Sequence, residues 1–260
     1  FFATISKNKH PEWKLVAASD SGATVCDPSG LDADELATFK NNHGRFSDFR
    51  LQSSDAESII GLDVDVLVLA ALGDAVTEKN MQDVRAKYVL ELANGPVNTA
   101  AYEHLTSKGC VVVPDIIANA GGVIVSYLEW LQNKAGEQWS EEEVNSKLED
   151  YLVPAFRDMY QTARNENVSF KEAAFLNAIK KLVPHEAKLQ LYQVHAVTEG
   201  TDSQAEVSVR LADGETISNG YGRDMDVMVA SCLAYINALN NMNVISGRVV
   251  AEKNQVRASL

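Results

Sequence analysis

Along the first two thirds of the chain, short apolar runs alternate with longer stretches of helical periodicity. Leu15–Ala18, Val64–Leu69, Tyr88–Leu92 and Val111–Val113 have strand length, and between them Asp32–Lys40 and Asn98–Lys108 are polar and helix-competent. Strands that alternate with helices need crossover connections, which predicts a largely parallel sheet. Three helices then follow without strands. The first is predicted over Gly122–Lys134. The second starts at Ser140, where Glu143 completes a capping box, and carries Val144, Leu148, Leu152, Ala155 and Met159 at helical spacing. The third repeats that start with Ser169 and Glu172 and runs to about Leu182.

The pattern changes at Val183-Pro184-His185. Leu189–Val197 predicts a strand whose alternation slips phase near Tyr192, and Ala205–Leu211 alternates more cleanly. Asp213-Gly214 supplies a hairpin turn, and Glu215–Tyr221 returns. Asp226–Asn240 predicts a helix whose Ala230, Ser231, Ala234 and Ala238 permit close approach to a sheet. The result is an α/β chain with a largely parallel sheet over residues 1–182 and a β-β-β-α unit over 186–260. The second is small for independent stability and is expected to lean on a partner.

A formal net charge of −13 argues against nucleic acid or an anionic membrane as a partner. Glu141-Glu142-Glu143 fits the solvated first turn of a helix. No apolar stretch reaches the roughly 18 residues that span a bilayer, and the opening residues carry no signal-peptide pattern, so a cytoplasmic location is expected. Cys26, Cys110 and Cys232 lie far apart, and the five histidines show no ligand spacing, so no metal site is expected. There is no G-x-S-x-G elbow and no phosphate-binding P-loop.

In open parallel sheets, ligands bind beyond the carboxyl ends of the strands. The four apolar runs end in Ser19-Asp20, Ala70-Ala71, Ala93-Asn94-Gly95-Pro96, and Pro114-Asp115 followed by Asn119. Any one of these alone is more often a turn than a contact. Four in succession favour a crevice for a flat polar ligand, since small residues permit backbone approach and amides offer donors and acceptors. Gly121-Gly122 then opens a helix whose first N–H groups lack partners. Ser126, one turn in, either meets an anionic group or bonds back to the preceding turn.

The segments VAASDSGATVCDPSGLDADEL, DVDVLVLAALGDAVTEKN, ELANGPVNTAAYEHLTSKG and VPDIIANAGGVIVSYLEWLQN resemble the cofactor-binding domain of the glutamate dehydrogenase family, as does the later helix FKEAAFLNAIKKL. The resemblance runs from Phe1 to about Leu182 and implies a Rossmann-like doubly wound sheet. It implies NAD or NADP as cofactor, L-glutamate and 2-oxoglutarate as substrate and product, and a homo-oligomer. Ser19 and Asp20 would then lie near the adenosine ribose, Ala70 and Ala71 along the cofactor's middle, and Asn94 and Asn119 at the nicotinamide end. Val123 and Ser126 would face the substrate. An acid at Asp20 suits a free ribose hydroxyl better than a phosphate and so favours NAD. The family's Gly-rich turn and first strand have no counterpart in these residues, and Phe1-Phe2 resembles the middle of the helix that follows that turn. Nor does any lysine here match the motifs of the family's catalytic lysine and aspartate, so residues 1–260 are expected to lack turnover. In doubly wound sheets the first strand is central, so its flanking strands must pair directly or keep open edges.

From Tyr192 to Met242 the chain resembles the carboxyl-terminal half of the leucine-sensing regulatory domain of 2-isopropylmalate synthase. Gly200–Ala205 and Gly220–Ser231 carry the likeness, with Met225 where threonine is usual. The resemblance implies a regulatory ligand, leucine, near Gly200, Asp202 and Ala205. The alternative function is therefore a non-catalytic oligomerisation or leucine-sensing protein.

Overall fold

A computed structural model describes residues 2–182, 186–196, 205–224 and 227–245. In chain order, helix α1 (Phe2–Lys9) precedes strands β1 (Ala17–Ser19) and β2 (Thr24–Cys26), helix α2 (Ala33–His43) and strand β3 (Ser53–Ser54). Strands β4 (Val66–Leu69) and β5 (Tyr88–Glu91), helix α3 (Thr99–Ser107), strand β6 (Val111–Val113) and helix α4 (Asp115–Ala118) follow. Helices α5 (Gly121–Ala135), α6 (Glu141–Glu166) and α7 (Phe170–Leu182) come next, then strands β7 (Lys188–Ala196), β8 (Ala205–Asp213) and β9 (Thr216–Asp224) and helix α8 (Val227–Ile245). These elements form two compact units, residues 1–119 and 120–260.

In the first unit β4, β5 and β6 make a parallel sheet in that order. Leu67, Leu69, Val89 and Val112 bury one face against Val76, Ala101 and Leu105. Helix α3 starts there because the Asn98 side chain accepts the Ala101 N–H at 2.9 Å, satisfying a donor that the helix cannot. The first apolar run departs from the expected arrangement. It forms β1, which pairs antiparallel with β2 in a separate sheet ordered β1-β2-β3. The reason is local: only Asp20–Ala23 separate the two strands, and a link that short can return only antiparallel. Asp20 Oδ1 fixes the turn by accepting the N–H groups of Gly22 (2.8 Å) and Ala23 (3.0 Å).

The second unit begins with α5–α7. Ser140 and Glu143 form the expected capping box on α6, and Ser169 and Glu172 exchange the same two bonds at the start of α7. Strands β7, β8 and β9 form an antiparallel sheet in sequence order, with a register shift between Leu189 and Leu191, close to the predicted slip of phase. Helix α8 lies on this sheet and is apolar around its circumference rather than along one stripe, as a helix covered on several sides must be. Ala230, Ser231, Ala234 and Ala238 are fully buried, and opposite them β9 carries Gly220 and Gly222. Polar groups close the seam: the Ser218 hydroxyl donates to the Ala238 carbonyl at 2.7 Å, and the Tyr192 and Ser231 hydroxyls share a bond of 2.6 Å. Burial pushes the Tyr192 phenol up to about 12.

The sequence boundary drawn at residues 182–186 falls inside this unit, and α7 explains why. Leu176 and Ile179 of α7 sit in one buried cluster with Val207, Val209, Leu211, Ala234 and Tyr235. The same helix also packs on α6, where the Thr162 hydroxyl donates to Asn177 Oδ1 at 2.7 Å. One helix therefore serves both the helical segment and the β-β-β-α segment.

Candidate functional site

The parallel sheet directs three strand ends to the same edge of the first unit. After β4 the chain leaves through Ala70 and Ala71, both exposed, and Gly73. A Cβ on Gly73 would stand 3.2 Å from the Asn94 carbonyl oxygen, a tight contact that glycine avoids where the loop after β4 passes the loop after β5. Gly95, at φ 54°, turns the β5 loop, and its N–H donates to Asp115 Oδ2 at 2.8 Å. Asp115 opens α4, donates its own N–H to the buried Glu91 carboxylate at 3.0 Å, and accepts the Ile116 N–H with its other oxygen. This ties the end of β6 to that of β5.

Asn119 lies one turn beyond Asp115, and its N–H donates to the Asp115 carbonyl at 3.0 Å. Its side-chain amide donates to Asn94 Oδ1 at 2.7 Å and to the Ala93 carbonyl at 3.4 Å. The two predicted amides are therefore in direct contact. One amide–amide bond uses one donor and one acceptor, which leaves the Asn94 NH₂ and the Asn119 carbonyl oxygen unspent. Exchanging O and N in both groups reverses the bond and again leaves a donor beside an acceptor.

Ser19 and Asp20 belong to the other sheet of this unit. The Ser19 hydroxyl donates to the Ala56 carbonyl at 2.8 Å. Asp20 is largely buried and accepts four hydrogen bonds: Gly22 and Ala23 on one oxygen, the Lys40 ammonium (2.6 Å) and the Phe46 N–H (2.9 Å) on the other. Burial raises its pKa, but the Lys40 ammonium and the three N–H donors more than reverse this and hold it well below the ordinary carboxylate range. Because the folded value is depressed, the stabilisation is complete above about pH 4 and fades as pH falls toward the folded value. Asp20→Asn is expected to cost about 2 kcal/mol near neutral pH. The gap to wild type should narrow at about pH 3, read as urea midpoints at both pH values.

Val123 and Ser126 lie in the second unit, both exposed on α5. No side chain caps that helix, and the space where Cβ atoms of Gly121 and Gly122 would stand is open. Of the regulatory positions, Ala205 opens β8 opposite Ala196 and Asp224, whereas Gly200, Asp202 and Met225 lie outside the described residues. The aspartate at 115 and the glutamate at 91 carry much of the geometry, and strand-end reasoning had singled out neither as a site residue. Asp115 had shown only as part of the Pro114-Asp115 tip; Glu91 was hidden as the one charge inside an apolar run. Among the described residues no group of His, Cys, Asp and Glu is arranged to hold a metal, and no helix is long and apolar enough to cross a membrane.

Comparison with known proteins matches this architecture. Residues 3–189 match the family model for glutamate/leucine/phenylalanine/valine dehydrogenases, and residues 173–243 match the LeuA allosteric (dimerisation) domain. An NAD-specific glutamate dehydrogenase of Staphylococcus aureus is 40% identical over 168 residues, which is 65% of this chain and 41% of that protein. The chain therefore spans well under half the length of this relative. Among solved structures, the hetero-hexameric glutamate dehydrogenase of Thermus thermophilus in its Leu-bound form is similar with a TM-score of 0.62 and 30% identity, over 69% of this chain and 43% of that one. Glutamate dehydrogenase of Peptoniphilus asaccharolyticus gives a TM-score of 0.57 and 30% identity over 69% of this chain and 42% of that one.

Proposed function

Since the match over residues 3–189 makes this chain a member of the glutamate/leucine/phenylalanine/valine dehydrogenase family, we propose that its first unit is the NAD-binding part of an enzyme that deaminates L-glutamate oxidatively to 2-oxoglutarate, residues 1–260 lacking turnover by themselves because no lysine here matches the family's catalytic motifs. The observation that carries this is the Asn94–Asn119 pair. A primary carboxamide needs one acceptor for its NH₂ and one donor for its carbonyl. The unspent groups of these two asparagines supply both, side by side, beyond neighbouring parallel strands. Ala70 and Ala71 leave room for backbone approach along the same edge, and Ser19 would serve the ribose end through its hydroxyl oxygen, with Asp20, whose acceptor positions are filled, holding the turn beside it.

When bound, NAD supplies the hydride acceptor. The chain's own part is positional. Asp115 holds the Gly95 N–H and so fixes the loop that carries Asn94, and Asn119 orients the Asn94 amide. Val123 and Ser126 on α5 are proposed to meet the substrate, the Ser126 hydroxyl by donating to the substrate's side-chain carboxylate. Assembly into an oligomer completes the reading, with a second role for the β-β-β-α segment. Its match to the LeuA domain favours leucine binding or subunit association there, at Gly200, Asp202 and Ala205.

Calorimetric titration of NAD into the 260-residue chain tests the first role. Binding heat is expected, and Asn119→Ala should weaken affinity about tenfold, the value of roughly 1.4 kcal/mol for a lost pair of hydrogen bonds. Heat with leucine alone would transfer the binding function to the second unit. No heat with either would reject both roles.

A further inference from the structure

The loop after β5 carries an Asn-Gly pair, Asn94-Gly95, and both residues are exposed. This dipeptide is the one most prone to lose side-chain ammonia within the chain, because glycine has no Cβ to hinder approach of its nitrogen to the asparagine side chain. Here the nitrogen is occupied. The Gly95 N–H donates to Asp115 Oδ2 at 2.8 Å, a charge-assisted bond. That carboxylate is itself fixed, since its other oxygen accepts the Ile116 N–H at 2.8 Å and the Asp115 N–H donates to Glu91. A backbone nitrogen becomes a nucleophile only by giving up its proton, and a carboxylate at hydrogen-bond distance opposes that loss through its negative charge. The Asn94 amide is anchored as well, by the 2.7 Å bond to Asn119. The chain has one other Asn-Gly pair, Asn219-Gly220. It lies within β9, where Gly220 is buried against α8 and the Asn219 side chain accepts the Arg210 Nε–H at 2.9 Å.

We propose that Asn94 is a site of spontaneous covalent modification, deamidation through a cyclic imide, and that Asp115 is the gate that holds it back. In the first step the Gly95 nitrogen attacks Asn94 Cγ. The N–Cγ bond forms, the Cγ–Nδ2 bond breaks, and the proton of the Gly95 nitrogen leaves with Nδ2 as ammonia. Water then opens the imide at either of its carbonyls and leaves aspartate or isoaspartate at position 94, with no oxidant or reductant required. Attack needs the Gly95 N–H released from Asp115, so the rate follows the opening of that bond rather than unfolding of the sheet. The consequence is local. A carboxylate at 94 has no N–H to give, so the pair with Asn119 loses the donor it now offers. In the proposed cofactor site that donor serves the carboxamide carbonyl, and conversion disables the site; this consequence alone rests on the cofactor reading.

The test is peptide mapping by mass spectrometry of the whole chain kept at neutral pH, with isoaspartate scored at both Asn-Gly pairs. An end-blocked ELANGPV peptide gives the unrestrained rate. Asn94 is expected to convert at least tenfold more slowly in the native chain than in the peptide, and Asn219 not measurably. Asp115→Ala keeps the N–H that Glu91 holds and removes only the gate. It should bring Asn94 to within about threefold of the peptide rate, with an unchanged circular dichroism spectrum. If that variant does not fold, wild-type protein still decides: hydrogen exchange of the Gly95 amide must be slowed by the same factor as the conversion, because both need the same opened state. A wild-type rate at Asn94 equal to that of the peptide would overturn the proposal, and so would a rate unmoved by Asp115→Ala. Faster conversion in Asn119→Ala than in Asp115→Ala would place the restraint on the side chain and overturn it too. Conversion that leaves the heat of NAD binding undiminished would leave the modification site standing and refute only its consequence for the cofactor.

Discussion

Gly220→Ala is expected to unfold the β-β-β-α segment, and Gly222→Ala to do the same. A Cβ at Gly220 would overlap the Ala234 carbonyl oxygen and the Ala238 amide nitrogen, and one at Gly222 would overlap the Ala230 carbonyl oxygen and stand 2.6 Å from the Ala234 nitrogen. All of these are backbone atoms of α8, so no rotamer change relieves them. The helix must lift from the sheet instead, which uncovers Val207, Val209 and Leu211, all at or below 1% exposed. Lifting also breaks the Ser218–Ala238 bond and strains those from Asn237 and Asn241 to the carbonyls of Tyr221 and Asn219. Overpacking commonly costs 1–3 kcal/mol, and this rigid case should reach about 4 kcal/mol. Urea unfolding followed by tyrosine fluorescence checks it. A loss below about 1 kcal/mol would mean that α8 does not ride this close to β9.

Leu176→Ala should cost about 3 kcal/mol and, more tellingly, should destabilise two segments together. Leu176 is 1% exposed in the cluster that includes Tyr235 and Val209, yet its helix also packs on α6. Removing its side chain leaves a cavity in the shared core. With Trp13→Phe and Trp130→Phe as background, Trp139 reports on the start of α6 and the tyrosines on the sheet. Both probes are expected to shift to the same lower urea midpoint. A shift of the tyrosine signal alone would show that α6–α7 and the β-β-β-α segment unfold separately.

This sharing accounts for the overlap of the two family matches, residues 3–189 and 173–243, across α7 and the start of β7. A helix can belong to both because it has two usable faces: Asn177 bonds Thr162 of α6, while Leu176 and Ile179 enter the sheet's core. Helix α7 lends Leu176 and Ile179 to the core of the β-β-β-α segment, a contact within the chain that enlarges a unit small for independent stability.

Much of this was written in local sequence. The capping pairs Ser140–Glu143 and Ser169–Glu172, the Asn98 cap, the strands from Val66 to Val113 and the small-residue face of α8 all follow from spacing and side-chain chemistry within a few residues. So did the place of Asn94 in the loop after β5 and of Asn119 a short way beyond β6, because small and amide residues after apolar runs mark such ends. Tertiary structure alone decided the rest. Periodicity measures which residues are apolar, not which strand lies beside which, so it could not show that the four-residue turn at Asp20 folds β1 back into its own sheet. Nor could it reveal that Asn94 and Asn119, 25 positions apart, share a hydrogen bond, or that Leu176 fills a core built mainly from residues thirty to sixty positions downstream. Those contacts form between segments distant in sequence, where pairing is set by the packing of whole elements rather than by the residues adjoining each one.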